Sequence, residues 1–279
     1  MSHLTNLLEN EWLYKDELEP IIGLVFKVRN EMGAGRSEEI YHQALVSALT
    51  KGEFAYVSKP RQTLYHRESA IHTFEPDLIV LDKVILELKV LKDYRSRNFP
   101  TYNQQQLLRY LKFNQFSLGL LINFAHSKVG ICRMIYQDGF IGFDEDYSRM
   151  LPYVNAKEKT LLRVVLKLIK QIGRQYGYGY SDEVYQKLIA VELTHHGIEC
   201  ICDLHIPATF QGELVGSQAT AFMLIENKFL LNVRGLIEGF TPHDFLTTRT
   251  FLRELNLKVG WLVNFGRDNI TIRATATKD

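Results

Sequence analysis

The stretch FEPDLIVLDKVILELKV, residues 74–90, is the segment from which the fold of this chain can first be predicted. It divides into two apolar strands, residues 74–80 and 84–90, joined by a tight connection at residues 81–83. A run this rich in Ile, Leu and Val predicts a buried central hairpin, in which an unpaired carboxylate would be costly. The charged residues that interrupt it are Glu75, Asp77, Asp82, Lys83, Glu87 and Lys89.

The register of this hairpin determines whether its charged side chains lie close together. Glu87 and Lys89 lie two residues apart, so on a strand they point to the same face. Asp77 joins that face if the connection holds an odd number of residues, with Val80 paired to Val84 and Asp77 opposite Glu87. The three-residue connection meets this condition, so the sequence predicts two carboxylates and one ammonium group at one place.

Such a cluster has a chemical interpretation and a structural one. Two adjacent carboxylates bind hard cations such as Mg²⁺, and the cation offsets their mutual repulsion. A lysine beside them can orient water or stabilise charge on a phosphate. The alternative is a buried ion pair of Lys89 with Glu87 or Asp77. The hairpin alone does not separate the two, because short D…ExK patterns recur by chance.

Composition indicates a soluble globular protein of 279 residues, with 46% hydrophobic and 23% charged residues. The net charge of +1 gives no overall attraction to nucleic acid, so any basic surface must be local. No apolar run approaches the ~20 residues of a membrane span, and the first residues are too polar for a signal peptide. The three cysteines fall in apolar, strand-like contexts, which favours a reduced, cytoplasmic location.

An internal repeat is the main organisational feature. GAGRSEEIYHQAL at 33–45 returns as GYGYSDEVYQKLI at 177–189, and GLLINF at 119–124 returns as GWLVNF at 260–265. The first copy is predicted to run α-α-β-β-β-α-β-β, with residues 54–65 as one strand, and to form a mixed sheet between helices, an α/β/α sandwich of the α/β class. We expect two tandem copies, at residues 1–140 and 157–279, joined by a linker at 141–156.

The copies differ at the charged cluster. Aligning them sets Asp77 against Phe222, Glu87 against Asn232 and Lys89 against Arg234. The second hairpin keeps the strand pattern and loses both carboxylates, so a metal site cannot survive there. We expect the second copy to be catalytically inactive.

Four motifs in order carry a family resemblance over residues 17–136: Gly35-x-x-Glu38-x-x-Tyr41, then PD…ELK, then Gln106-x-x-x-Tyr110, then GLLINF. This set resembles the bacterial GxxExxY proteins of the PD-(D/E)XK nuclease superfamily, in its RecB-like branch. The resemblance implies a restriction-endonuclease-like core, metal-dependent nuclease chemistry on DNA, and a degenerate second copy. The matching positions imply catalytic roles for Glu38, Asp77, Glu87, Lys89, Gln106 and Tyr110.

The resemblance also implies a ligand set for Mg²⁺ or Mn²⁺. Its members are Glu38, Asp77, Glu87 and the backbone carbonyl of Leu88. Read separately, Glu38 is also explained as a favourable carboxylate at a helix N-terminus. Gln106 and Tyr110, at i and i+4 of one predicted helix, share a face that is either part of a cleft or the edge of the core.

Contact with nucleic acid, for which the resemblance implies DNA, needs a local basic surface. Candidate residues follow the second strand of the hairpin and continue on the next predicted helix: Lys92, Arg95, Arg97, Arg109 and Lys112. They are equally explained as ordinary solvated charges.

Three functions therefore remain open. The first is an active metal-dependent nuclease whose inactive copy makes the chain a monomeric pseudo-dimer, or a subunit of a homodimer. The second is a non-catalytic nucleic-acid-binding or scaffold protein built on a nuclease fold. The third is a component of a larger DNA-processing or defence assembly, docked to a protein partner through its C-terminal copy.

Overall fold

The computed structural model describes residues 13–94, 98–139, 142–236 and 239–277. It forms two compact units. The first contains Met1–Leu64 and Thr73–Gln137, and the second contains Tyr65–His72 and Asp138–Asp279. Among the described residues, no helix is both long and apolar enough to cross a membrane.

The first unit is built around a mixed five-stranded sheet. Its helices are α1 (Lys15–Met32), α2 (Glu38–Lys51) and α3 (Thr101–Asn114). Its strands are β1 (Tyr56–Ser58), β2 (Gln62–His66), β3 (Ser69–Phe74), β4 (Leu78–Val80), β5 (Val84–Lys89), β6 (Leu118–Asn123) and β7 (Gly130–Ile135). Of the hairpin formed by β2 and β3, the segment Tyr65–His72 is assigned to the second unit. The sheet order is β1-β4-β5-β6-β7, with β5 and β6 parallel and the other neighbours antiparallel, while β2 and β3 pair separately.

Helices cover both faces of this sheet, because the central strands carry apolar side chains on both of their faces. Leu86 and Leu88 of β5 pack with Leu120 of β6 into a core that includes α1 and α2. Gly119 points the other way, where Leu107 of α3 lies so close that even a Cβ atom would meet it at 2.7 Å. All six residues of β5 are buried. The predicted α/β class is therefore confirmed. The central hairpin is confirmed for Leu78–Val80 and Val84–Lys89, whereas Phe74, predicted to begin its first strand, ends β3.

The second unit repeats this architecture and adds one strand. It contains β8 (Gly142–Asp146), α4 (Ala156–Tyr176), α5 (Asp182–His195), β9 (Cys200–Ile201), β10 (Leu204–Phe210), β11 (Glu213–Thr220), β12 (Phe222–Ile225), β13 (Phe229–Arg234), α6 (Pro242–Glu254), β14 (Val259–Phe265) and β15 (Asn269–Ala276). The sheet order is β9-β12-β13-β14-β15-β8, and β10 pairs with β11. Five strands match the first sheet position by position, which confirms two tandem copies of one fold.

Two further details differ from the expectations drawn from the sequence. Residues 54–65 do not form one strand, because the chain breaks at residues 59–61, and the polar stretch Ser69–Phe74 is a strand that the periodicity did not reveal. Gly142–Asp146, inside the predicted linker, pairs in parallel with β15 as an edge strand of the second sheet. Its acidic residues are compatible with an edge strand, one side of which is exposed to solvent. The same residues lack the apolar pattern from which a strand is predicted.

The glycine and tyrosine of the repeated motif have the same structural role in both units. The Tyr41 hydroxyl donates to the Gly33 carbonyl at 2.7 Å, and its ring stacks on Phe124 with centroids 4.5 Å apart. The Tyr185 hydroxyl likewise donates to the Gly177 carbonyl at 2.6 Å and is fully buried. The tyrosine therefore fixes the turn between two helices, which explains why it persists in a unit that has lost the charged cluster.

A carboxylate of the second unit provides a pH-dependent contribution to stability. The buried Glu192 accepts two hydrogen bonds from Arg67, at 2.9 and 3.0 Å, and one from His66 at 2.5 Å. Burial alone would raise the pKa of Glu192, but the bonds from Arg67 and His66 lower it overall. A lowered pKa adds stability above the unfolded-state value of about 4.3, and this stability is lost as the pH falls through the folded-state pKa.

We therefore expect Glu192→Gln to lower the free energy of unfolding at pH 7 by about 1–2 kcal/mol, less than a fully buried pair would give because Arg67 is partly exposed. The difference from the wild type should shrink as the pH falls below about 4. Urea unfolding at a series of pH values measures this. A difference that stayed constant from pH 7 to pH 3 would contradict it.

Candidate active site

The hairpin of β4 and β5 brings Asp77 and Glu87 together. Val80 pairs with Val84, as the register argument required, and Asp77 immediately precedes β4. The Asp77 backbone N–H lies 3.4 Å from Glu87 Oε2, and the Leu88 N–H donates to Asp77 Oδ2 at 2.8 Å. The two carboxylates are therefore held at the end of the hairpin, on neighbouring strands.

Lys89 lies between the acidic residues. Its Nζ donates to Glu87 Oε1 at 2.7 Å and lies 3.8 Å from Glu38 Oε1. Glu38 is the first residue of α2, whose N-cap is Ser37, as the sequence predicted. The cap fixes the start of the helix, so the Glu38 side chain lies near the end of β5. The structure therefore brings four of the predicted site residues together: Glu38, Asp77, Glu87 and Lys89.

Burial and mutual repulsion shift the pKa values of the charged groups in this cluster. Burial of Glu87, which is 2% exposed, and repulsion from Asp77 raise its pKa to about 7, although Lys89 opposes the shift. Burial also raises the pKa of Glu38, with Lys89 opposing and Asp77 adding to the shift. Burial alone would lower the pKa of Lys89, but the carboxylates raise it above its usual value. More negative charge has been gathered here than one ammonium group neutralises.

Helix α3 contributes Gln106 and Tyr110. Leu86 and Leu88 face α1 and α2, so Glu87 and Lys89 point to the face that α3 covers. Gln106 Nε2 donates to the Tyr110 hydroxyl at 3.1 Å. Burial raises the pKa of Tyr110, and the negative charge of Glu87 adds to the shift. The Tyr110 ring packs edge-on against Phe74, with centroids 6.3 Å apart.

A further residue, His42, was not identified from the sequence. It lies one helical turn after Glu38, is 2% exposed, and its Nε2 is 3.2 Å from both the Asp77 carbonyl and Ser58 Oγ. His42 thus ties α2 to the peptide that carries Asp77. Its i+4 spacing from Glu38 was the available signal. In the second unit, Gln186 at the matching helical position donates to the carbonyl of Ala221, the residue before Phe222.

The predicted basic residues are less uniform than the sequence indicated. Lys92 is exposed and Arg109 is half-buried, whereas Arg95 and Arg97 lie outside the described residues. Lys112 is 8% exposed, and its Nζ lies 5.5 Å from the centre of the Tyr136 ring. Its helical position turns it towards the sheet, so Lys112 is poorly placed for the phosphate contact predicted from the sequence.

The corresponding place in the second unit contains a different network. Phe222 pairs with Asn232 on β12 and β13, and Arg234 Nε lies 3.3 Å from Asp182 Oδ2. Asp182 Oδ1 accepts from the Gly235 N–H at 2.6 Å. The single remaining carboxylate is thus satisfied by an arginine and a backbone amide, and no second carboxylate faces it from β12 or β13.

Gly235 permits this closed arrangement, because a Cβ atom there would lie 2.4 Å from the Tyr180 carbonyl oxygen. We expect Gly235→Val, which introduces the residue found at the matching position Val90, to lower the free energy of unfolding by roughly 1–3 kcal/mol. Chemical denaturation measures the loss. Gly216→Val on β11 is the control, because no atom lies within 4 Å of a Cβ there, and it should change stability by less than about 0.5 kcal/mol. Equal effects of the two substitutions would contradict the prediction.

The residues present in the first unit fit a divalent cation of the Mg²⁺ type. The described residues contain no group of three or more His, Cys, Asp or Glu side chains arranged to hold a metal ion by themselves. Mg²⁺ is commonly held by one or two carboxylates, with waters and substrate phosphate completing its octahedral shell. Asp77 and Glu87 provide such a pair, and a cation would relieve the repulsion that raises the pKa of Glu87.

Comparison with known proteins agrees with this geometry. The sequence profile described as "PD-(D/E)XK nuclease superfamily" matches residues 15–134 and again residues 159–274. The chain therefore belongs to the PD-(D/E)XK nuclease superfamily, and both units derive from it. A search of curated proteins found no match.

Among solved structures, the chain is similar to the crystal structure of SSO0001, with 16% sequence identity and a TM-score of 0.29. The alignment covers 48% of this chain and 58% of that one.

Proposed function

We propose that the protein is a divalent-metal-dependent nuclease that hydrolyses phosphodiester bonds of DNA, with its active site in the first unit alone. The observation that carries the proposal is the convergence of Asp77, Glu87 and Lys89 at one hairpin end, with Glu38 beside them. A structural ion pair needs one carboxylate for one ammonium group. Three acidic residues around one lysine fit a site that receives further positive charge.

Each residue then has a chemical role. Asp77, Glu87 and the Leu88 carbonyl would hold Mg²⁺ or Mn²⁺, with Glu38 at the margin of the site. Bound there, the cation supplies positive charge that favours deprotonation of water and stabilises the phosphate in the transition state. Lys89 donates hydrogen bonds to the attacking water or to a phosphate oxygen. Gln106 and Tyr110, on α3, would contact the bound nucleotide.

Within the superfamily, we propose the GxxExxY type of its RecB-like branch. The supporting features are the Gly35-x-x-Glu38-x-x-Tyr41 motif and the hydrogen-bonded pair of Gln106 and Tyr110. Phosphate contacts would come from the exposed Lys92 and from Arg109, together with Arg95 and Arg97. The second unit has neither of the two hairpin carboxylates, which supports an active site in the first unit alone.

The test is cleavage of single- and double-stranded DNA by the purified protein with Mg²⁺, Mn²⁺ or EDTA. We expect cleavage with either metal, none with EDTA, and none for Asp77→Ala or Lys89→Ala. Asp182→Asn, at the position matching Glu38 in the second unit, is the control and should cleave like the wild type.

Two outcomes would overturn the proposal. DNA binding without cleavage, unchanged by either substitution in the first unit, would favour a non-catalytic nucleic-acid-binding protein or scaffold. The absence of both cleavage and binding would favour a component that acts through a protein partner.

A further inference from the structure

A cavity of about 470 Å³ in the second unit lies between helix α4 and the segment that follows β8. Its walls include the apolar side chains of Met150, Leu162 and Leu166. Leu151 at its margin is 51% exposed, although it is a large apolar residue. The volume lies within the ~300–1,000 Å³ range of binding pockets, and the apolar lining indicates that an occupant would bury apolar groups there.

One side of this cavity carries a row of positive charges. Lys159, Arg163 and Lys167 are spaced at i, i+4 and i+8 on α4, so they project from one face about 6 Å apart. Lys170 and Arg174 continue the row, which we call the basic row of α4. From Lys159 to Arg174, a separation of fifteen helical steps, the row extends for ~22 Å along the helix.

Three members of the basic row have no acidic partner among the described residues. Lys170 is paired with Glu145 at 2.6 Å, and Arg174 lies over the Phe143 ring. No hydrogen bond or ion pair within the described part of the chain neutralises Lys159, Arg163 or Lys167. The acidic residue on the opposite wall, Glu145, is already engaged by Lys170 and by the Tyr147 hydroxyl. The cavity therefore presents uncompensated positive charge beside an apolar floor.

The first unit shows that the fold does not require this charge. Every buried position of α1 matches a buried position of α4, with Leu18 matching Leu162 and Val25 matching Ile169. At the positions of Arg163, Lys167, Lys170 and Arg174, the first unit has Glu19, Gly23, Phe26 and Asn30. Lys159 is matched by Lys15. Lys170 and Arg174 contact Glu145 and Phe143 of their own unit, so Arg163 and Lys167 are the members of the row that the shared fold does not explain.

We propose that this cleft is a docking site for an acidic, amphipathic segment of a partner protein, whose apolar side chains enter the cavity while its Asp and Glu residues face the basic row. A helix laid along α4 would present apolar residues at i, i+3, i+4 and i+7 to the floor and carboxylates to the rim. Nucleic acid fits the charge but not the apolar floor. This inference is independent of the nuclease activity proposed for the first unit.

The test uses the full chain and a fluorescein-labelled synthetic helix of about 15 residues, long enough to span the basic row, with Leu on one face and Glu on the other. Two control peptides separate the contributions. One has the same composition in scrambled order, which removes the apolar face, and the other has Gln in place of Glu. We expect fluorescence anisotropy to show binding of the amphipathic acidic peptide, at least about tenfold tighter than either control, and weakened by salt.

Variants locate the site. Arg163→Glu with Lys167→Glu should weaken binding at least about tenfold, and Leu151→Ser severalfold. Lys157→Glu with Arg267→Glu is the matched control, because it makes the same change in net charge at exposed residues outside the cleft. It should change affinity by less than about twofold.

Three results would overturn the proposal. One is failure of the wild type to bind the amphipathic peptide. Another is equal binding of the scrambled peptide, which would reduce the effect to charge alone. The third is displacement of the peptide by single-stranded DNA, with DNA binding abolished by the same Arg163→Glu and Lys167→Glu variant, which would make the cleft a nucleic-acid surface.

Discussion

Glu87→Gln is expected to slow DNA cleavage by at least about a hundredfold while leaving the protein folded. The substitution removes one of two carboxylates that would hold the cation, and losing such an electrostatic group lowers the rate by roughly 10²–10³-fold. In the absence of metal the fold should tolerate it, because Glu87 is 2% exposed and is repelled by Asp77, so a neutral side chain of the same shape relieves that repulsion. Loss of the Lys89 ion pair acts in the opposite direction.

Metal-dependent stability distinguishes this explanation from simple unfolding. Binding to the folded state alone stabilises the wild type by about 2.7 kcal/mol at a metal concentration a hundred times the dissociation constant. We expect Mg²⁺ to raise the melting temperature of the wild type and not that of Glu87→Gln. Glu39→Gln is the control, because Glu39 lies beside Glu38 in the first turn of α2 but is exposed and pairs with Lys59. A Glu87→Gln protein that cleaves DNA like the wild type would contradict the proposed site.

Tyr185→Ala is expected to cause a large loss of stability, although it lies in the unit we consider inactive. The ring is fully buried and stacks on Phe265, with centroids 3.9 Å apart. Removing a buried aromatic ring costs roughly 3–5 kcal/mol, which is a large part of the total stability of an ordinary domain. Urea unfolding followed by fluorescence and by circular dichroism measures the loss and shows whether the second unit unfolds first.

Tyr185→Phe separates the ring from its hydroxyl. The hydroxyl donates to the Gly177 carbonyl and accepts from the Tyr180 N–H at 3.3 Å, so removing it should cost about 1 kcal/mol. If Tyr185→Ala were no more destabilising than Tyr185→Phe, the tyrosine would not be the packing residue that fixes the turn between the helices.

The central hairpin and the repeat were predictable because both depend on local patterns. Alternation of apolar residues with a short connection defines the register, and the register then determines that Asp77 and Glu87 meet. The assignment of Ser37 as a helix cap similarly required only the residues beside it. For the same reason, the loss of both carboxylates from the second hairpin could be read directly from the alignment of the two copies.

The features that could not be predicted depend on contacts distant in sequence. The strand Gly142–Asp146 is acidic and forms only because β15 offers it a free edge. His42 contributes through a hydrogen bond to a backbone carbonyl 35 residues away, a contact that its i+4 spacing from Glu38 does not specify. The burial of Lys112 beside the Tyr136 ring depends likewise on the packing of separate elements. So does the hydrogen bond from the Gly235 N–H to Asp182.

The hydrogen bond from Gly235 to Asp182 has a consequence for engineering the second unit. Restoring Asp, Glu and Lys at positions 222, 232 and 234 would return the charges but not the site, because Asp182 would still be held by the peptide of Gly235 and that peptide lies against Tyr180. The loss of this site is therefore conformational as well as chemical. Reactivation would require the loop to be rebuilt before any ligand is replaced, so single substitutions offer no gradual route back to catalysis.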